Sequence, residues 1–374
     1  MKPEKYLGAG FLKLLKLSIP PEKYSLDNLD HSKVGNILVV LRHQMGDTLC
    51  ALPMLNALRE FYREAHITLV TKSSTNYLQI FKDNGPYVNE VKEFEYGFEN
   101  FIYLVKELRD RTYDLAVVPS TVVFSVTNHL IAHYSQAKFR VGVSSFNGEE
   151  NKSVFLLNIK NDFPWATKKI HQVQRNLDII RQINIEPEDT RIRIRPGIEN
   201  QNFARNFFDN NFTKSLKPVI GFHPGAGKPE NVWNSKCFAE LIFLLRKKYK
   251  PYYFISEGPQ DEMSVRSLIS LLKEKYEISE VKVHKGALMD NLALISLLDL
   301  FITNDTGIMH LAAGTDIPMV SLFGPSKAYE WAPVGENKIS IQSSSRNIND
   351  IKPDRVFEVC NSLLKRTNVR KVSQ

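Results

Sequence analysis

Cysteine is scarce in this chain. Cys50, Cys237 and Cys360 are far apart, odd in number and set in apolar periodic segments. They read as reduced core residues, which excludes a small secreted domain stapled by disulfides. No Cys/His pair has metal-ligand spacing, and no D-x-D pair of carboxylates occurs, so no metal and no cofactor is invoked. Zinc-finger spacing, an RNP-like run and a dense Arg/Lys helix are all missing. The formal net charge of +8 therefore points to an anionic partner other than nucleic acid. Long hydrophobic runs are missing too. Tyr6 to Ile19, YLGAGFLKLLKLSI, is interrupted by Lys13 and Lys16. It is shorter than the roughly 18–20 residues that span a bilayer, and it has no small-residue cleavage site of a secretory signal. Two readings of it remain: a helix packed on the first domain, or a basic amphipathic helix on the cytoplasmic leaflet with Phe11, Leu14 and Leu15 down. A cytoplasmic protein, peripheral on the inner face of the membrane in the second reading, is expected.

What is present is a soluble globular composition, 43% hydrophobic and 24% charged over 374 residues, enough for two domains. From Asn36, strands alternate with helices. Strand Asn36–Leu41 precedes a helix over Thr48–Arg63, strand Ile67–Thr71, a helix near Asn76–Asp83 and a strand near Val88–Phe94. Helix Phe98–Arg109, strand Leu115–Pro119, a helix around Phe124–Tyr134 and strand Phe139–Val143 follow. A second series runs from strand Pro218–Phe222 through helix Ser235–Tyr249 and strand Tyr252–Ser256 to helix Gln260–Tyr276 and strand Val281–His284. It continues with helix Asn291–Leu297, strand Leu300–Thr303, helix Ile308–Gly314 and strand Met319–Phe323. Such alternation implies parallel βαβ units, so the fold class is α/β with two doubly wound parallel sheets. The expected divisions are an N-terminal extension (1–35), a first domain (36–190), a linker (191–217), a second domain (218–349) and a C-terminal segment (350–374). The last helix opens at Asp350, with Pro353 in its first turn.

Three loops follow buried strands, where open α/β sheets bind ligands. In Leu300–Ala313, LFITNDTGIMHLAA, the loop residues Asn304, Asp305, Thr306 and Gly307 lead straight into a helix bearing His310. First-turn amides and the helix dipole favour an anion there by about 0.3–1 kcal/mol. The bland alternative makes Asp305 an N-cap and His310 a satisfied helix residue. In Gly221–Trp233, GFHPGAGKPENVW, Gly225 and Gly227 offer a flexible backbone and Lys228 a charge, unless the segment is merely a glycine–proline turn. In Arg42–Asp47, RHQMGD, there is no G-x-G-x-x-G, and Asp47 is either a catalytic carboxylate kept ionised by a helix start or simply an N-cap.

These loops resemble the signatures of glycosyltransferase family 9, the ADP-heptose:lipopolysaccharide heptosyltransferases. MGDTLCALPMLNALRE after NILVVLR is similar to the opening signature, HPGAGKPENVW followed by FAELI to the middle one, and NDTGIMHLAAGTDIPMVSLFGPS to the third. FRVGV, IHQVQRNLDII, GPQDE and EWAPVG are weaker echoes, and the likeness spans about residues 36–335.

The resemblance implies the GT-B architecture: two Rossmann-like domains facing a central cleft, acceptor in the first and nucleotide-sugar donor in the second, with the C-terminal helix packing back on the first. It implies inverting transfer of a sugar, heptose from ADP-heptose, onto a lipopolysaccharide core or related glycan acceptor, with Asp47 as catalytic base. Thr306, Gly307 and His310, with Asp305 beside them, match the residues lining the donor diphosphate, and Asp261 and Glu262 fall near the carboxylate that binds the donor ribose. The family has a lysine two residues before the motif tryptophan. Here that position is Asn231, and Lys228 is the nearby cation. A nucleotide-sugar epimerase of the same fold and a non-catalytic nucleotide-sugar-binding protein remain the alternatives.

Overall fold

The computed structural model describes residues 9–42, 44–72, 78–83, 87–212 and 217–372. Parts of five expected features lie outside them: residues 6–8 of the N-terminal stretch, His43 in the first loop, residues 76–77 of the expected helix, residues 213–216 of the expected linker, and residues 373–374 of the C-terminal segment. The chain divides into two compact units. One is Met1–Thr75 with Gly85–Thr190; the other is Asn76–Asn84 with Arg191–Gln374.

The strands of the first unit are β1 (Asn36–Val40), β2 (His66–Lys72), β3 (Glu90–Phe94), β4 (Leu115–Val117), β5 (Phe139–Phe146), β6 (Glu149–Glu150) and β7 (Ile159–Phe163). Their order is β3-β2-β1-β4-β5, with β7 parallel and β6 antiparallel to β5. Ile37 to Val40 are wholly buried, as a strand covered on both faces requires. Leu38, Val40, Val70, Leu104, Leu108, Ala116 and Ile131 form the core on one side of this sheet.

The helix expected over Thr48–Arg63 is two helices, Met45–Cys50 and Leu52–Phe61. Pro53 is the reason: without an N–H it cannot donate to Leu49, so the ladder breaks at Ala51. The strand Ile159–Phe163 and the helix Gln172–Arg181 complete the unit. In the N-terminal helix Ala9–Ser18, Leu12 is buried and Leu15 half-buried, while Phe11, Leu14 and Leu17 face solvent. Leu15 thus turns inward, away from the face shared by Phe11 and Leu14. Among the described residues no helix is long and apolar enough to cross a membrane.

The second unit holds β8 (Val219–His223), β9 (Tyr252–Glu257), β10 (Val281–Lys285), β11 (Leu300–Asn304), β12 (Met319–Phe323) and β13 (Lys338–Gln342). All are parallel, in the order β10-β9-β8-β11-β12-β13, the doubly wound order that reverses between β8 and β11. Helix Ser235–Tyr249 is capped by Asn234, whose side chain accepts from the Lys236 amide at 2.8 Å, and it ends at Lys250 in the left-handed conformation. Phe238, Leu241, Ile242 and Leu245 line its buried face; each fully buried side chain of this size contributes about 1.5–3 kcal/mol.

Two peripheral segments join this unit. Ile198–Asn211, inside the expected linker, is a helix packed on helix Leu288–Ile295. The C-terminal helix Pro353–Val372, expected to pack back on the first domain, puts Val356, Cys360, Leu363 and Leu364 into the core of the second. With both sheets in place the fold is GT-B in type: two Rossmann-like α/β domains.

Candidate functional site

The switch point of the second sheet brings the loops after β8 and β11 side by side, and one residue joins them. Asn304, the last residue of β11, is fully buried. Its Nδ2 donates to the carbonyl oxygens of Pro224 at 3.0 Å and Gly225 at 3.1 Å, and its Oδ1 accepts from the Trp233 amide at 3.3 Å. A carboxylate here could not donate and an apolar residue could do neither. Trp233 secures the far end of the loop: its ring is fully buried against Phe238, and Nε1 donates to the Ile351 carbonyl at 3.0 Å.

Beneath this loop sits Asp261. A Cβ placed on Gly225 would lie 1.8 Å from Asp261 Oδ1, and one placed on Gly258 would lie 2.6 Å from Oδ2. Both positions are glycine because the carboxylate occupies the space a side chain would need. Asp261 Oδ2 accepts from the Gly258 amide at 2.7 Å and lies 3.4 Å from His223 Nε2. Burial pulls the His223 imidazole below its usual value, against the opposing charge of Asp261. The expected acidic pair therefore separates. Asp261 faces inward at 6% exposure, whereas Glu262 is exposed and pairs with Arg266 at 2.7 Å and Lys285 at 3.6 Å. Gly227, by contrast, has open space where its Cβ would be.

Asp305 and Asn231 also meet. Asn231 Nδ2 donates to the Asp305 carbonyl and to its Oδ2, both at 3.2 Å. Ser326 Oγ donates to the same carboxylate oxygen through a short contact. Burial raises the Asp305 carboxyl above its ordinary range, opposed by the Ser326 hydroxyl, the charge of Lys228 and the Asn231 amide. Asn231 is thus a buried brace on Asp305, while Lys228 is exposed and close enough to act on it. The N-cap of the helix Gly307–Ala313 is Thr306, not Asp305. His310 is buried, its ring edge-on to Trp331 with centroids 5.9 Å apart. Behind the helix, Lys338 Nζ donates to the carbonyls of Ala313 and, at 2.7 Å, Thr315. Burial brings that ammonium down to about 8.

Asp47 belongs to the other unit. It is the third residue of helix Met45–Cys50, and its Oδ2 accepts from the Gln44 amide at 3.3 Å, so Gln44 is the N-cap and Asp47 the returning half of a capping box. It is partly exposed at the carboxyl end of β1, at that sheet's own switch point. Nearby, Arg42 lies 4.4 Å over the rings of both Phe94 and Tyr96, and Nη1 donates to Asn128 Oδ1 at 3.2 Å. His129 is enclosed, with Nδ1 2.7 Å from Ser153 Oγ, and burial lowers it to about 4. Asn304, expected in the loop, is the last residue of the strand, and sequence reasoning missed His223, Ser326 and Lys338. His223 stands at the end of a buried strand and carried that positional signal; the other two show nothing until the chain is folded.

Comparison with known proteins bears on the family and the fold. The model of glycosyltransferase family 9 (heptosyltransferase) matches residues 101–358. Lipopolysaccharide heptosyltransferase 2 of Salmonella typhimurium is 24% identical over 361 residues, spanning 89% of this chain and 99% of the relative. A glycosyl transferase of family 9 from Veillonella parvula superposes with a TM-score of 0.73 at 20% identity, over 89% of this chain and 97% of that one. The ADP-heptose lipopolysaccharide heptosyltransferase II of Escherichia coli does so at 0.71 and 23%, over 89% and 99%. Glycosyl transfer is the reaction class of this family, and the chain belongs to glycosyltransferase family 9.

Proposed function

We propose that this glycosyltransferase moves heptose from ADP-heptose, with inversion, onto a hydroxyl of a lipopolysaccharide core or related glycan acceptor. The observation that carries the donor half is the junction made by Asn304, which ties two strand-end loops together at the switch point of the second sheet. The names of the relatives support the sugar and the acceptor. In this reading the second unit binds the donor. Gly225, Gly227, Lys228, Thr306, Gly307 and His310 surround the diphosphate, while Asp261, Asn231 and Asp305 shape the loops from beneath. Glu262 is left for the rim, where a ribose hydroxyl could reach it.

The first unit binds the acceptor, whose hydroxyl oxygen attacks the anomeric carbon. That carbon–oxygen bond forms as the bond to the diphosphate oxygen breaks, ADP leaves, and the hydroxyl proton passes to Asp47. Lys228 and the loop amides stabilise the charge growing on the leaving group. An acceptor carried on lipid places the enzyme on the inner face of the cytoplasmic membrane. The solvent-facing Phe11, Leu14 and Leu17 beside Lys13 and Lys16 support that placement.

Two measurements test the proposal. Thermal shift with ADP-, GDP- and UDP-sugars should show stabilisation by the ADP series alone; stabilisation by another base overturns the donor assignment. Asp47→Asn should lower transfer by about 10²–10⁴-fold with donor binding unchanged. Transfer near the wild-type rate would remove Asp47 from the role of base.

A further inference from the structure

His223 and Asp261 are both buried, at 4% and 6% exposure, and the chemistry above uses neither as a reacting group. His223 Nδ1 lies 3.0 Å from the carbonyl oxygen of Ser256. A carbonyl oxygen only accepts, so Nδ1 carries a hydrogen and donates. In a neutral imidazole that leaves Nε2 as a bare lone pair. Yet Nε2 faces the Asp261 carboxylate at 3.4 Å. A lone pair facing a carboxylate at this distance is repulsive, and a proton held between the two groups makes the contact favourable.

The same carboxylate takes the Gly258 amide at 2.7 Å and fills the space over the Gly225 Cα. His223 ends β8, and Asp261 follows the turn after β9. The pair therefore fastens the loop of one strand to the turn of its neighbour.

We propose that His223 and Asp261 are a positioning pair that shares one proton, fixes the Gly225–Gly227 backbone, and cancels the Asp261 charge beneath the donor diphosphate. The diphosphate clause rests on the donor assignment made above; the fixing of the loop does not.

Three measurements on the full chain test it. With ¹⁵N-labelled histidine, the His223 Nε2 resonance near neutral pH, assigned by its loss in His223→Gln, should lie away from the free-base position. A free-base Nε2 overturns the proposal. Hydrogen exchange in the absence of ligand should be about tenfold faster at Gly225–Gly227 in His223→Phe, and near wild type in His223→Gln, whose side-chain amide can still donate to Asp261. His223→Phe that melts as a folded protein and exchanges like wild type overturns it. ADP affinity should fall about tenfold in His223→Phe, with the donor KM raised and kcat little changed. A wild-type protein that binds no ADP refutes the donor assignment, and hydrogen exchange then decides the positioning role by itself.

Discussion

The sharpest consequence of the site geometry is steric, and it falls on Gly225. A methyl group there would sit 1.8 Å from Asp261 Oδ1, 2.1 Å from Cγ and 2.7 Å from Cβ. These are not the loose end of a surface side chain. The carboxylate is held by the Gly258 amide at 2.7 Å and faces His223 at 3.4 Å, so it cannot swing aside without unmaking both contacts. Overpacking of this kind costs about 1–3 kcal/mol. For a unit of this size that corresponds to roughly 3–10 °C in Tm. Gly227→Ala is the built-in control, because nothing lies within 4 Å of its Cβ position. Gly225→Ala should lower Tm by that amount and weaken ADP binding, whereas Gly227→Ala should leave Tm nearly unchanged. The double variant Gly225→Ala/Asp261→Gly removes the obstructing atoms, so the two losses should fall short of additive by about 1 kcal/mol or more. Additive losses, or a Gly225→Ala protein as stable as wild type, would show that Asp261 is not where the reasoning puts it.

Three further outcomes are expected. Trp233→Phe deletes the bond to the buried Ile351 carbonyl and should cost about 1–3 kcal/mol in urea unfolding; a loss below about 0.5 kcal/mol would mean that water replaces the indole. Lys338 has its folded-state pKa lowered from 10.5 to about 8, so the unfolded chain holds that proton more tightly. The stability of wild type minus that of Lys338→Met should therefore rise with pH between about 8 and 10.5, by an amount of order 2 kcal/mol, and a flat difference would refute the burial argument. Lys228→Ala should weaken ADP binding several-fold and make it less sensitive to salt; wild-type affinity and salt dependence in that variant would leave the phosphate charge to another residue.

How much of this was legible beforehand depends on where the determining contacts come from. Helices Phe98–Arg109 and Ser235–Tyr249 and strand Met319–Phe323 have the expected bounds, because continuous burial or a full amphipathic period writes itself into adjacent residues. Strand Ile159–Phe163 does not. Its middle residues, Lys160, Asn161 and Asp162, are exposed, and its place is set by β5 from about twenty residues away. The C-terminal helix was legible as a helix but not in its destination, since Val356, Cys360 and Leu363 would suit any apolar groove.

The two strand-end loops of the second sheet show the same division at the level of single atoms. Their position at strand ends can be read from the sequence; the direction of each carboxylate cannot. Asp261 and Glu262 are neighbours, yet one turns under the glycine loop and the other into a surface ion pair. That inversion answers an electrostatic difficulty in the proposed site. Two like charges 5 Å apart at an effective dielectric constant near 20 repel by about 3 kcal/mol. A diphosphate settling near a bare Asp261 or Asp305 would therefore lose most of what its own hydrogen bonds supply. Each carboxylate is instead compensated by hydrogen-bonding or facing groups on its own side: Asp261 by the Gly258 amide and His223, Asp305 by the Ser326 hydroxyl and the Asn231 amide. Asn231 then ceases to be a mere loss of the family lysine. A lysine at that buried position would compensate Asp305 and phosphate alternately, whereas the asparagine binds Asp305 alone and leaves exposed Lys228 to serve the ligand. Restoring the lysine by Asn231→Lys should accordingly fail to tighten ADP binding, because its ammonium would be consumed by Asp305.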